Sequence, residues 1–276
     1  MPTTPRIADE RHRYILEMLQ EHGSCKVAEL ARTLAVSEMT IHRDLAHLAR
    51  QNLLRKVHGG AVLRNYIELT FQDRAVQNHE AKVAVAQRAQ SLVRPGTSLY
   101  LSPGSTTHEF ALALIQDDLQ IYTNSLPTAT ALARSAPQGL RVTLLGGELV
   151  VFVEALVGPA TEAALADLRL THAFIAVTGV SLEGGLTLYT EEEARVIRAV
   201  IRAARKTVLL TDASKFGQLV GPQVGHLEDV HVIVSDHIPD AYRQRCEQHD
   251  VEILLTADLD VMPTSAPGAA AADRRN

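Results

Sequence analysis

The stretch Ser102-Pro103-Gly104-Ser105-Thr106-Thr107 stands between an apolar run and a helical one. Its hydroxyls and free backbone N–H groups suit an anion held at a helix N-terminus. Thr123-Asn124-Ser125, Gly146-Gly147, Gly179 and Asp212-Ala213-Ser214-Lys215 follow other apolar runs in the same way. Taken singly, such residues cap helices or carry solvated charges. Their recurrence after four or more apolar runs argues for one shared site. A second group lies near the other end of the chain, where Thr40, His42, Arg43 and His47 share a helical run over 38–50. Such a helix can reach base edges and flanking phosphates together.

The elements that must position this second group are legible around it. Residues 11–22 carry Ile15, Leu16, Met18 and Leu19 at helical spacing, with Gly23 placed to stop the helix. A second helix over 27–34 buries Val27, Leu30, Ala31 and Leu34, and Ser37 is a favoured N-cap for the third. In that third helix Ile41, Leu45 and Leu48 fall on one face, leaving Met39, Arg43, Ala46 and Arg50 on the other. The run 53–62 then places β-prone residues on both sides of Gly59-Gly60, the pattern of a hairpin wing. Its Arg55, Lys56 and His58 would lie along a duplex as phosphate contacts that set position.

Charge divides the same way. Residues 1–64 hold ten Lys and Arg against seven acids, a net of +3, whereas the remainder holds seventeen against twenty-five, a net of −8. A basic head on an acidic body is expected where only the head approaches nucleic acid. No apolar run approaches the roughly 18 residues of a membrane span, and the start is charged where a secretory signal needs an apolar core, so a cytoplasmic location is expected. Cys25 and Cys246 form no CxxC pair or ligand cluster, so neither a disulfide scaffold nor a metal site is expected.

Beyond a stretch without clear period over 64–78, apolar strand-like runs at 98–101, 120–123, 141–145, 173–178, 207–211, 231–235 and 252–255 alternate with helical runs at 108–115, 127–134, 191–205 and 240–249. Another helical run begins near Glu80. This alternation predicts an α/β domain with a mainly parallel sheet, whose ligands bind at the carboxyl ends of its strands. The domains expected are thus a winged helix-turn-helix over 6–63, a linker over 64–78, an α/β ligand-binding domain over 79–258 and a disordered Ala- and Pro-rich tail over 259–276.

The segment Val36-Ser37-Glu38-Met39-Thr40-Ile41-His42-Arg43-Asp44-Leu45, followed by Leu48 and His58-Gly59-Gly60-Ala61, resembles the DeoR family of bacterial repressors, and the likeness extends from Arg11 to Leu255. The family usually has Arg-Arg before the Asp-Leu pair, where this chain has His42-Arg43. Asp44 is expected to pair locally, since a carboxylate is repelled by phosphate. The resemblance implies a body similar in fold to ribose-5-phosphate isomerase and coenzyme A transferases. It also implies that Gly104, Ser105, Thr106 and Thr107 cradle the phosphate of a sugar, that Thr123, Asn124 and Ser125 line the sugar, and that Asp212 and Lys215 complete the pocket. Each charge-assisted contact contributes about 1.5–3 kcal/mol. Ser102 stands where the family has Asp, Ala176 where it has Gly, and Ile197 where it has Lys. The function implied is a homodimeric or homotetrameric regulator that binds operator DNA under control of a phosphorylated sugar, with no cofactor. The competing class is a sugar-phosphate isomerase using Asp212 and Lys215 as acid and base. It lacks a recognisable second carboxylate, because Glu191-Glu192-Glu193 reads as an acidic helix start.

Overall fold

A computed structural model describes residues 8–22, 24–50, 54–57, 59–63, 70–135 and 139–261. In the head, α1 (Ala8–His22), α2 (Val27–Thr33) and α3 (Glu38–Arg50) enclose Ile15, Leu19, Leu30, Leu34, Ile41, Leu45 and Leu48, all buried. Ala35, at φ +52°, turns the corner between α2 and α3, and the Val36 N–H donates back to the Ala31 carbonyl. Ser37 caps α3 by accepting from the Thr40 N–H at 3.2 Å. The wing has three strands where two were expected. β1 (Ser24–Lys26) joins β2 (Leu54–Val57) and β3 (Gly60–Leu63) in the order β1-β3-β2. Three residues are too few to show a period of two. The signal for β1 is Gly60, where a Cβ would fall 2.1 Å from the Cys25 carbonyl oxygen, so the paired strands approach only because the side chain is missing. Gly23 and His58 lie outside the described residues.

The body is built on a seven-stranded parallel sheet of β4 (Ser98–Leu101), β5 (Gln120–Thr123), β6 (Arg141–Leu144), β9 (Leu170–Ile175), β12 (Ala204–Leu210), β14 (Val232–Ser235) and β15 (Glu252–Leu255), ordered β15-β14-β12-β9-β4-β5-β6. The chain grows outward from β4 through β5 to β6, then returns to the other side of β4 at β9. The order therefore reverses between β4 and β9, and the crevice at their carboxyl ends is the natural place for a ligand. Apolar side chains fill both faces. Tyr100, Ile175, Leu209 and Ile233 pack on one, and Leu101, Phe110, Phe174 and Val234 on the other.

Several short elements have no counterpart in the sequence reading. β7 (Glu148–Val150) pairs with β8 (Ala155–Val157), while β10 (Gly179–Ser181), β11 (Gly185–Thr187) and β13 (Gln223–Gly225) form a small antiparallel sheet. The stretch over 64–78 contains the helix Phe71–Val76. It opens with a reciprocal cap in which Thr70 Oγ1 accepts from the Asp73 N–H and the Asp73 carboxylate accepts from the Thr70 N–H. The next helix, His79–Ala89, follows Asn78 in a left-handed conformation at φ +50°. Residues 262–276, assigned to the tail, lie outside the described residues, and 256–261 form a 3₁₀ turn.

Candidate functional site

On the head, α3 turns Met39, His42, Arg43 and His47 to solvent, with Met39 63% exposed, while Ile41, Leu45 and Leu48 anchor its other face. Ser37 and Thr40 sit at the helix start, their hydroxyls 2.9 Å apart. Lys56 is exposed on the wing. The side chains of Arg50 and Arg55, and all of His58, lie outside the described residues. Asp44 does not face the duplex side. It is buried, accepts from Arg11 through both carboxylate oxygens at 2.8 and 3.0 Å, and lies 3.0 Å from His12 Nε2. Burial pushes its carboxyl up, but the hydrogen bonds and charges of Arg11 and His12 outweigh this and hold it below the usual carboxylate range. This pairing ties α1 to α3. His47 stacks on His12 with ring centres 4.9 Å apart.

In the body, a cavity opens at the carboxyl ends of β4 and β9. Pro103, Gly104, Ser105 and Thr106 line it from the turn after β4, Ala176, Val177 and Thr178 from the turn after β9, and Lys215 from the turn after β12. Gly104 precedes the helix Ser105–Leu112 at φ +146°, and no side chain caps that helix. Its first-turn N–H groups therefore face the cavity without a capping acceptor. A Cβ on Gly104 would lie 3.0 Å from the Ala176 Cβ and 3.2 Å from Thr107 Oγ1. Among the described residues the Ser105 and Thr106 hydroxyls make no hydrogen bond, which leaves them to a ligand.

Not every residue singled out in the sequence reaches this cavity. Thr107 donates its hydroxyl to the Ser102 and Gly104 carbonyls at 2.8 and 2.9 Å, shaping the loop from behind. Thr123 donates to the Leu101 carbonyl, and Ser125 accepts from the Thr128 N–H, so both serve the strand-to-helix turn. Asn124 borders a smaller adjoining recess, its amide committed to the Leu156 carbonyl and its oxygen to the Tyr100 hydroxyl. Gly146 accepts from Thr161 Oγ1, and Gly147 leaves room for Thr161 and the Val157 carbonyl, so neither lines the cavity. Asp212 borders a separate opening with Ser214 and Asp236, where its Oδ1 accepts from the Ser214 N–H at 3.0 Å and from Asn78 Nδ2 at 3.1 Å. Ser102 is buried and spent on structure. Its hydroxyl accepts from the Ala176 N–H at 2.9 Å and joins the ends of β4 and β9. Ala176 lines both cavity and recess, and Ile197 closes the recess with Val196 and Leu188.

Three further residues supply charge that the sequence reading did not include. Arg74, from the helix Phe71–Val76, and Lys82, from His79–Ala89, line the cavity beside Lys215, and Glu193 adds one carboxyl. Lys82 is 3% exposed and donates to the carbonyls of Arg74 and, at 2.6 Å, Gln77. Burial, abetted by the charges of Lys215 and Arg74, lowers its ammonium to about 8 against the opposing pull of Asp212. Burial likewise lowers Lys215. Glu193 caps its own helix through Thr190, and burial raises its carboxyl above the ordinary range. Three cationic side chains thus line the cavity against one carboxyl whose ionisation burial disfavours. The Thr70-x-x-Asp73 cap was the one signal that could have placed Arg74 on a helix; Lys82 on a helical run gave no sign of which way it turned.

Comparison with known proteins agrees with both halves of this description. Residues 11–66 match the DeoR-like helix-turn-helix domain, and residues 77–237 match the DeoR C terminal sensor domain. The chain is 30% identical to the glycerol-3-phosphate regulon repressor of Escherichia coli, over 89% of this chain and 98% of that one. It is 31% identical to the lactose phosphotransferase system repressor of Staphylococcus epidermidis, over 87% and 96%, and 32% identical to the L-fucose operon activator of Haemophilus influenzae, over 89% and 99%. Among solved structures, ribose 5-phosphate isomerase A from Methanocaldococcus jannaschii aligns over 51% of this chain and 55% of its own at 18% identity, with a TM-score of 0.36. With a helix-turn-helix head, a cation-lined cavity at the sheet reversal of its body and matches along nearly its whole length, the chain belongs to the DeoR family of DNA-binding transcriptional regulators.

Proposed function

We infer that this regulator is a repressor of sugar-metabolism genes whose affinity for operator DNA is set by a phosphorylated sugar bound in the cavity at the ends of β4 and β9. The observation that carries the reading is the convergence of Lys82, Lys215 and Arg74 with the uncapped first turn at Gly104-Ser105-Thr106 on one cavity. Fixed cations and N–H donors together suit a phosphate monoester dianion. The Escherichia coli and Staphylococcus epidermidis relatives are named as repressors of the glycerol-3-phosphate regulon and of the lactose phosphotransferase system, in keeping with an effector of this class. On the head, α3 reads bases through Thr40, His42, Arg43 and His47, while Ser37, Arg50 and the wing residues Arg55, Lys56 and His58 meet phosphates. One small head offers few phosphate contacts, so a homodimer or homotetramer on repeated half-sites is the acting species.

No turnover is expected of the cavity. An isomerase needs a positioned carboxylate base, whereas Glu193 is engaged in its helix cap and Asp212 borders a different opening. A thermal-shift screen of the full chain against pentose, hexose and triose phosphates tests the reading. A shift with a phosphorylated sugar and none with its dephosphorylated form is expected. Equal response to both, or conversion of any sugar phosphate, overturns it.

A further inference from the structure

Arg74 stands apart from the other cavity cations because of where it comes from. Residues 71–78 are the segment by which the chain, having left the wing at Leu63, enters the sensor domain. That segment contributes Arg74, Gln77 and Asn78 to the cavity wall. Its own attachments to the body are few. The Phe71 N–H donates to the Phe152 carbonyl at 3.1 Å, Gln72 Nε2 donates to Glu154 Oε1 at 2.5 Å, and the Phe71 ring meets His108 edge-on. Its far end rests on the cavity's Lys82 and on the turn after β12. Lys82 Nζ donates to the Arg74 and Gln77 carbonyls, and Asn78 Nδ2 donates to Asp212 Oδ1 and to Ser214 Oγ at 3.2 Å. The guanidinium itself lies over the Tyr189 ring, 5.8 Å from its centre. Among the described residues it forms no salt bridge, and its Nε is buried without a hydrogen-bond partner. A buried, unsatisfied donor on a charged group is costly unless something outside the protein completes it.

We propose that Arg74 is a ligand-binding residue and that the bound phosphate, by completing it, clamps residues 71–78 onto the sensor domain. The inference rests on the sugar-phosphate reading above and adds its means of transmission. An anion held by Lys82, Lys215 and the turn at Gly104 pulls on the segment that leads to the DNA-binding head through Arg74, and through the Lys82 ammonium that holds the segment's last carbonyls. Ligand occupancy thus reaches the head through the chain connection itself, without movement of the sheet. The fork of the guanidinium suits a phosphate better than a neutral sugar, so the clamp responds to the charged end of the effector.

Hydrogen exchange on the full chain, with inorganic phosphate and with ribose 5-phosphate as probes, tests this. In the wild type both probes slow exchange at residues 105–107 and at residues 71–78, each by about tenfold or more, the yield of one charge-assisted contact. In Arg74→Ala at saturating probe, protection at 105–107 persists and protection at 71–78 disappears. If Arg74→Ala does not fold, Arg74→Lys takes its place and protection at 71–78 falls while that at 105–107 remains. Protection at 105–107 with none at 71–78 in the wild type overturns the clamp and leaves the sugar-phosphate reading standing. Full protection of 71–78 in the Arg74 variant also overturns the clamp, and protection at neither place overturns both.

Discussion

Substituting Gly104 separates two physical demands that meet at the mouth of the cavity. At φ +146° and ψ 150° the backbone occupies a region that only glycine populates readily, and placing alanine there costs about 1–3 kcal/mol. The added Cβ would also stand 3.0 Å from the Ala176 Cβ, well inside the ordinary carbon–carbon contact distance. Such crowding costs about 1–2 kcal/mol in a packed site. Gly104→Ala is therefore expected to lower stability by about 2–5 kcal/mol, which for a domain of this size is a fall in Tm of about 4–20 °C. Pairing it with Ala176→Gly relieves the crowding and leaves the backbone cost. In a double-mutant cycle followed by urea unfolding, the two substitutions should couple favourably by about 1–2 kcal/mol. Affinity for phosphate should fall about tenfold or more in the single variant, because relieving the strain and the crowding against Ala176 and Thr107 shifts the turn that carries the first N–H groups of the helix. A single variant as stable as the wild type refutes the backbone argument. Zero coupling refutes the assignment of Ala176 as the neighbour that demands glycine.

Arg43→Ala should abolish preference for an operator selected from random DNA while leaving the thermal transition unchanged, and wild-type affinity should fall with salt at a slope of about −0.9 per phosphate neutralised; retained specificity or a flat salt response in a gel-shift titration counts against α3 as reader. Lys215→Ala should leave DNA binding intact and remove the response to phosphorylated sugars, a result checked by titrating each sugar into the protein–DNA complex. Asp44→Ala leaves Arg11 and His12 without their acceptor and should destabilise the head by about 3 kcal/mol, read by exchange of α1 and α3 amides. Because the Asp44 carboxyl is held below its unfolded value, its contribution is present above about pH 4 and lost as pH falls through the folded value. The same sign applies to Lys82, whose folded value of about 8 lies below its unfolded one: the protein without ligand gains stability as pH rises through that range, whereas affinity for a phosphate falls as the ammonium is lost, and a pH-independent affinity between 7 and 9 contradicts its role.

How far the sequence leads can be followed residue by residue. Strands β4, β5 and β15 begin and end where their apolar runs do, and the third helix of the head shows in its Ile41, Leu45 and Leu48 spacing, because a face buried on one side leaves a period. The turn at Gly104-Ser105-Thr106 and the cation at Lys215 were likewise legible as strand-end residues. Thr107, Thr123 and Ser125 look the same in sequence, yet their hydroxyls are consumed by carbonyls and N–H groups of the turns they belong to. Residue type cannot distinguish a hydroxyl offered to a ligand from one spent on its own loop, since both occur at the same kind of strand end.

The residues that escaped the sequence reading explain something about the site itself. Arg74 sits in a six-residue helix, too short for an apolar period, and Lys82 in a longer one whose inward lysine breaks the expected pattern of apolar residues inside. Burying Lys82 costs desolvation, as its lowered value records, and two backbone carbonyls at the end of the segment from the head offset part of that cost. A protein that needed this lysine only for stability would do better with an apolar side chain of similar length. Its retention in a buried position makes sense if an anion arrives to restore the lost solvation, and the carbonyls it holds in the meantime belong to Arg74 and Gln77, the residues that the same anion would meet. A buried ammonium whose charge desolvation disfavours is one that an anion would favour, which is the condition for an equilibrium that ligand can shift.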